Sequence, residues 1–279
     1  MSRPVRIEFP GAHYHVTSRG IKGRPVFLDD EDRTAFLSVL NTVVSRYGWL
    51  VHSYVLMNDH YHLVVGVPDA NLSKGMRQLN GVYTQHFNRV HGLEGPLFQG
   101  RFRSVLFEKD GYLLPLCRHV VLNPVRTGDA KSVHGWKWSS HRAMAGAVKV
   151  PPYLHVEDVL SSFGKRPRDQ KQKYKEYIRE GLREASPLAD RCSQVLLGSP
   201  RFLNEMKPIL NGEKLAKRGP KRARRRRSLS TMFRNIENKT RSERNELIRR
   251  AHIEHAYTLM EIGDHLGLHY TTVSKVVNS

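Results

Sequence analysis

Cysteine, acidic side chains and long apolar runs are all scarce in this chain. Its 279 residues hold two cysteines, Cys117 and Cys192, which excludes a disulfide framework. No run comes near the roughly 20 apolar residues that a membrane-spanning helix needs. The opening MSRPVRIEFPG lacks the apolar segment of a signal peptide, so a reduced, cytoplasmic protein with no membrane partner is expected. Asp and Glu together number 26 against 46 Lys and Arg, which leaves a formal charge of +20. The basic residues run through the whole chain, and such an excess attracts polyanions by counterion release. Nucleic acid is therefore the first partner to consider. The length and a hydrophobic content of 39% suffice for two domains, at least one with a sizeable core.

The first 150 residues alternate between strand and helix patterns. AHYHVTSR (12 to 19) alternates as a strand. DDEDRTAFLSVLNTVVSRYG (29 to 48) opens on acidic first-turn residues, carries apolar positions at helical spacing and stops at Gly48. WLVHSYVLM and HYHLVVGV, split by the turn pair Asn58-Asp59, predict an antiparallel hairpin. LSKGMRQLNGVYTQHFNRVHG (72 to 92) has an apolar stripe through Leu72, Met76, Leu79, Val82 and Tyr83. LFQGRFRSVLFEK (97 to 109) is a glycine-broken ribbon, and a third helix is expected from Asp110 as N-cap to Pro124 just after Asn123. The order β, α, β, β, α, β, α is that of a ferredoxin-like antiparallel sheet with helices on one face. Residues 151 to 213 read as a helical extension with few chemical signals, and the dense basic run within 214 to 230 as a solvated linker. In the final domain, 231 to 279, TLMEIGDHLGLHYTTVSKVV has the apolar spacing and glycines of a helix-turn-helix. The fold class is thus α+β, followed by an all-α domain.

Residues two apart on a strand share a face, so His60 and His62 project together while Tyr61, Leu63 and Val65 point the other way. Two imidazoles can hold one divalent ion, although an isolated H-x-H is more often a pair of partly exposed strand histidines. In the third helix Tyr112, His119 and Asn123 fall along one face. A helix laid across the histidine strand therefore supplies a third ligand and a reactive side chain.

Residues 3 to about 146 resemble the REP-associated tyrosine transposases, members of the HUH single-strand endonucleases. The resemblance rests on RPVRIEFPGAHYHVTSRG, VLMNDHYHLVV, LSKGMRQLNGVYTQHFN, LFQGRFRSVLFEKD, LLPLCRHVVLNPVR and WKWSSHRA. It implies an HUH core in which His60 and His62, with Asn123, hold Mg²⁺ or Mn²⁺ on the scissile phosphate of single-stranded or hairpin DNA. It also implies a helix tyrosine that attacks to give a 5′-phosphotyrosine. The family pattern R-Y-x-x-x-N-P-x-R is matched at Arg118, Asn123, Pro124 and Arg126, but His119 stands at the tyrosine position. His119 is then open to three roles: forming a phosphohistidine, activating water, or serving as a further metal ligand. Tyr112, about two helical turns or roughly 10 Å away, is the other candidate nucleophile.

Further DNA contacts are expected from Arg19, Lys74, Arg77 and Arg126 on phosphates, and from Arg101 and Arg103 interleaved with Phe98 and Phe102 as a stacking ribbon. Any single one of these cations is more often just solvated. Arg224, Arg225, Arg226 and Arg227 fit phosphates without reading sequence, or a disordered tail. The terminal helix-turn-helix resembles the DNA-binding domain of the bacterial replication initiator. Its second helix would present Thr271, Thr272, Ser274 and Lys275 to a duplex. The expectation is a transposase-like protein, monomeric or homodimeric, acting in transposition or in processing of repeated palindromic elements by metal-dependent single-strand cleavage and joining. A cleavage-deficient DNA-binding regulator is the alternative, and an RNA-binding protein a third class.

Overall fold

The computed structural model describes residues 7–190, 195–210, 228–253, 257, 259–269, 272–273 and 276–277. The chain divides into two compact units, residues 1–215 and 216–279. The first is a mixed α+β unit around one five-stranded sheet in the order β2-β3-β1-β4-β5. Its strands are β1 (Ala12–Arg19), β2 (Leu50–Leu56), β3 (His60–Val67), β4 (Arg103–Phe107) and the two-residue β5 (Leu196–Leu197). β1, β2, β3 and β4 pair antiparallel, and β5 joins β4 in parallel.

Local chemistry explains the long helices. In α1 (Asp30–Tyr47) the Asp29 carboxylate accepts from the Asp32 N–H and three acidic residues fill the first turn, complementing the helix dipole. Gly48 closes it at φ 67, a left-handed conformation that glycine takes without a Cβ clash. α2 (Leu72–His91) ends the same way at Gly92. α3 (Lys109–Arg126) departs from the sequence expectation at both ends. Glu108, not Asp110, is its N-cap residue, and Pro115 and Pro124 both lie inside it. Proline removes one N–H from the ladder but leaves its carbonyl. Here the Asn123 and Pro124 carbonyls still accept from Thr127 and Ala130, so the turn holds to Arg126.

Both faces of the sheet are covered, one apolar and the other carrying histidines among its apolar residues. Tyr61 meets Phe36 of α1 at 4.6 Å between ring centroids, and its hydroxyl donates to Asn80 of α2. α3 lies on the opposite face, where Ser53 Oγ donates to the Cys117 carbonyl and Asn123 approaches His62. This corrects the expectation of helices on one face. β3 reads as a continuous apolar run through Leu63, Val64 and Val65, all fully buried, because each side of the sheet needs a cover.

Short helices α4 (His141–Met144) and α5 (Glu157–Leu160), then α6 (Pro167–Glu180) and α7 (Pro200–Leu210), complete the first unit. Leu154, Val159, Tyr174, Ile178 and Met206 join the same buried core as the sheet. The second unit has its own small core of Phe233, Ile248, Ala251, Ile262 and Val273. It is contributed by α8 (Leu229–Met232), α9 (Arg241–Ile253), α10 (Leu259–Leu266) and the residues beyond them. Among the described residues no helix is long and apolar enough to cross a membrane.

Buried His141 gives the first unit a pH dependence. Its ring lies against Tyr174 with Nδ1 unbonded, and burial first, then the charges of His134 and Lys175, lower its pKa to about 4. The unfolded chain, with histidine near 6.5, therefore takes up a proton that the folded chain refuses. Stability from this group is present above the unfolded pKa and is lost as pH falls from about 6.5 toward 4. One pKa unit is worth about 1.4 kcal/mol, so His141→Phe should reduce the acid-induced loss of stability by a few kcal/mol. Urea unfolding followed by tryptophan fluorescence at pH 7 and pH 4.5 reads this directly, since Trp49, Trp136 and Trp138 all lie in the first unit. Equal pH slopes for the two proteins would contradict it.

Candidate metal and DNA site

The antiparallel register sets the site's first layer. Thr17 pairs with His62 and Arg19 with His60, so the two histidines share a face with His15 of β1. His15 is buried, and its Nε2 lies 2.9 Å from His62 Nδ1, with the rings stacked at 5.1 Å. The His60 and His62 ring centroids are 5.0 Å apart. Asp59 Oδ1 lies 2.5 Å from His60 Nδ1, and its other oxygen accepts from Arg19 Nε at 2.9 Å. A carboxylate can only accept here, so His60 Nδ1 carries the proton. Burial pushes the Asp59 carboxyl up, but the hydrogen bonds and charges of His60 and Arg19 outweigh it and hold the pKa low.

In both histidines the inner nitrogen is thus engaged from behind, by Asp59 and by His15. In His60 this leaves Nε2 with the lone pair, the kind of outer hydrogen bond that orients metal-binding imidazoles; in His62, Nε2 presents a lone pair in the tautomer whose Nδ1 donates to His15. The His62 pKa lies well below its usual value, through burial and then the neighbouring His15, His60 and His119, so the ring is neutral at neutral pH.

α3 supplies the second layer. Asn123 Nδ2 is 3.5 Å from His62 Nε2, while its Oδ1 is buried with no hydrogen-bond partner. An orphaned buried acceptor is costly. Rotation of the amide would turn that oxygen toward the same point that His62 Nε2 faces. The donor set is then two imidazoles and one amide oxygen, which suits a divalent cation.

His119 stands 6.2 Å from the His15 ring and 6.3 Å from the His62 ring, edge-on to both. Arg126 NH1 is 3.1 Å from His119 Nδ1. A guanidinium only donates, so Nδ1 is the acceptor and the proton of the neutral ring sits on Nε2. Burial, then the Arg126 charge, lowers the His119 pKa to about 4. His119 and Tyr112 line one cleft of about 220 Å³ with Pro115, Arg118, Arg126 and Glu184. The candidate nucleophiles therefore share a space.

The remaining predicted contacts divide by exposure. Arg19 is 65% exposed, and Lys74, Arg77, Arg101 and Arg103 are exposed as well. Phe98 and Phe102 correct the stacking-ribbon expectation. They are 6% and 9% exposed, and Phe98 packs against Tyr61 and Tyr83, because this ribbon closes the edge of the core and spends its aromatic faces there. Arg126 is occupied by the Gly181 and Glu184 carbonyls as well as by His119. In the second unit Thr272 is exposed. Thr271, Ser274, Lys275 and the run Arg224 to Arg227 lie outside the described residues. Sequence reasoning missed His15. Its signal was present, since His13-x-His15 repeats the spacing of His60-x-His62 on the strand that pairs with it.

Residues 9–112 match the family model described as transposase IS200 like. No curated protein matches the chain. Among solved structures, that of a REP-associated tyrosine transposase bound to a REP hairpin is similar at 21% identity and a TM-score of 0.46, covering 60% of this chain and 98% of that one. A putative transposase from Deinococcus radiodurans R1 is similar at 17% identity and a TM-score of 0.29, covering 38% of this chain and 83% of that one.

Proposed function

We propose, from the transposase match over residues 9–112 and the histidine geometry, that this chain binds and processes single-stranded or hairpin DNA with Mg²⁺ or Mn²⁺ at His60, His62 and Asn123. The observation that carries the reading is the pair of imidazoles whose Nδ1 atoms are engaged by Asp59 and His15, beside the orphaned Asn123 Oδ1. A divalent ion held there supplies Lewis acidity to a phosphodiester. The chain's own residues do the rest: Asp59 fixes the His60 tautomer, His15 holds the His62 ring from behind, Arg19 anchors Asp59, and Tyr112 and His119 border the space where an attacking group would stand. The strand order β2-β3-β1-β4, with two crossovers on one face, supports a ferredoxin-like HUH core. Helices α9 and α10, with Gly267 at φ 63 after α10, support a helix-turn-helix that holds duplex DNA. The decisive experiment incubates labelled hairpin DNA from around the chain's own gene with the protein and Mn²⁺. Metal-dependent nicking supports the reading.

A second reading, DNA binding without cleavage, is favoured by one observation. The lone pair that His119 would need for attack is already taken by Arg126. Tight hairpin binding with no nicking supports it.

Both readings require a strong phosphate component. With a charge of +20, contact with six or more phosphates should weaken hairpin affinity by roughly 10³-fold between 50 and 200 mM salt. A nitrocellulose filter titration across that range measures the slope, and a flat line counts against DNA as the partner.

A further inference from the structure

The second histidine of the β1 pair points to a different place. His13 and His15 lie on the same face of β1, but His13 pairs with Gly66 near the far end of β3. The register of β2 against β3 slips between Val51 and Ser53, so His52 is the extra residue of a β-bulge. Bulges re-aim side chains, and this one brings the His52 ring onto His13, with centroids 5.5 Å apart and planes 18° from parallel. The two rings come from strands separated by β3, and they meet above Gly66. A Cβ at that position would lie 2.9 Å from His13 Nε2 and 3.2 Å from His52 Nε2. Glycine is what lets the nitrogens converge over the middle strand.

These nitrogens have no hydrogen-bond partners. His13 Nε2 and both His52 nitrogens are buried and unbonded, and His52 as a residue is fully buried. A buried imidazole with neither nitrogen satisfied is costly and needs an occupant. Asp158 faces it, with Oδ2 3.9 Å from His52 Nε2. The segment carrying Asp158 is fixed to the bulge itself, since the His155 N–H donates to the Val51 carbonyl. His155 Nε2 is 3.5 Å from Asp158 Oδ1, and its ring is 5.4 Å from that of His52. One ligand atom from each of His13, His52 and Asp158 lies within 4.8 Å of the others. The other such triad among the described residues, Asp29, Asp32 and His91, is already spent: Asp29 caps α1, and Asp32 accepts from Leu28 and lies against His91.

We propose that His13, His52 and Asp158, with His155 beside them, form a second cation site, of the imidazole-rich kind that selects Zn²⁺ over Mg²⁺. Two imidazoles and a carboxylate are a borderline-soft set suited to zinc, with a fourth position left for water or, after a side-chain rotation, for His155. Lys109 Nζ donates to Asp158 Oδ2 at 2.7 Å, the same oxygen that faces His52, so the ion would share the carboxylate with Lys109, while Oδ1 lies on the His155 side. The ion would tie β1, the edge strand β2 and α5 together, and it serves structure and not the DNA chemistry.

The test uses the full chain with His60→Ala and His62→Ala, so that the first site is silenced whatever its role, and follows Co²⁺ absorption with Zn²⁺ as competitor. One tight equivalent is expected in that background, displaced by Zn²⁺ and not by excess Mg²⁺. Asp158→Asn, which changes a partly exposed side chain, should weaken it at least tenfold with the far-UV circular dichroism unchanged, and His52→Gln should abolish it. Should His52→Gln fail to fold, Asp158→Asn carries the test alone. Absence of a bound equivalent in the double-alanine background, or equal affinity in Asp158→Asn, overturns the proposal.

Discussion

Replacing His60 and His62 together by alanine is expected to remove one Mn²⁺ site and to abolish metal-dependent nicking of hairpin DNA, while hairpin affinity falls by less than about tenfold. The expected split follows from where the groups sit. The proposed metal ligands are His60, His62 and Asn123, whereas the exposed cations Arg19, Lys74, Arg77, Arg101 and Arg103 lie on other positions of β1, α2, β4 and the ribbon before it. On the proposed reading, phosphate contacts from those cations would dominate affinity, so removing two imidazoles should leave most of it. The double variant should also fold. Its targets are partly exposed, and Tyr61 between them keeps its contact with Phe36 and its bond to Asn80 on the opposite face. Isothermal titration with Mn²⁺ and a filter-binding assay on the same preparations separate the two effects. Unchanged Mn²⁺ stoichiometry would remove these histidines from the metal site.

A milder companion should grade the same site. Asp59→Asn takes away the carboxylate that fixes the His60 tautomer and the anchor of Arg19. Removing such orienting partners commonly costs 10- to 100-fold in metal affinity. A loss in that range, with the Mn²⁺ stoichiometry retained, is expected by the same titration, and no loss would mean that His60 is not oriented from behind.

The parts of this site that a sequence reader can see are the parts with a fixed period. β1, α1, the β2-β3 hairpin and α2 each carry a period of two or of 3.6 bounded by Asp29, Asn58-Asp59, Gly48 or Gly92, and the shared face of His60 and His62 follows from the pleat alone. What escapes is whatever depends on the third dimension. Leu63, Val64 and Val65 are apolar on both sides of β3, so the strand pattern alone does not divide the helices between the faces; only the shared face of Tyr112, His119 and Asn123 points α3 toward the histidines. Pro124 looks like a stop because proline usually ends a helix, yet the carbonyls of Asn123 and Pro124 find Thr127 and Ala130. Phe98 and Phe102 look like stacking rings until the edge they close is known. His52 is hidden more deeply still, since a bulge breaks the alternation by which its face would be assigned.

His119→Tyr is expected to create, or raise by at least tenfold, Mn²⁺-dependent nicking of hairpin DNA with a covalent protein-DNA adduct. In the native chain His119 is neutral, its Nδ1 accepts from Arg126 and its remaining nitrogen bears the proton, so no lone pair is presented to a phosphate. A phenol at the same position on α3 would face the same cleft, beside His15 and His62. Losing its proton, its oxygen could attack phosphorus to form a phosphotyrosine while the 3′ oxygen leaves. Arg126, freed from the imidazole, would still stand near the developing charge. Denaturing gels of labelled hairpin separate the outcomes. An adduct stable to acid in the variant and absent from the native protein identifies His119 as the replaced nucleophile position. An acid-labile adduct from the native protein would instead require His119 to give up its bond to Arg126 and attack as a phosphohistidine. Native nicking lost in Tyr112→Phe would assign the attack to the phenol already lining the cleft. If neither protein nicks any hairpin that it binds tightly, the cleavage reading fails and the chain is a DNA-binding regulator built on a transposase-like domain.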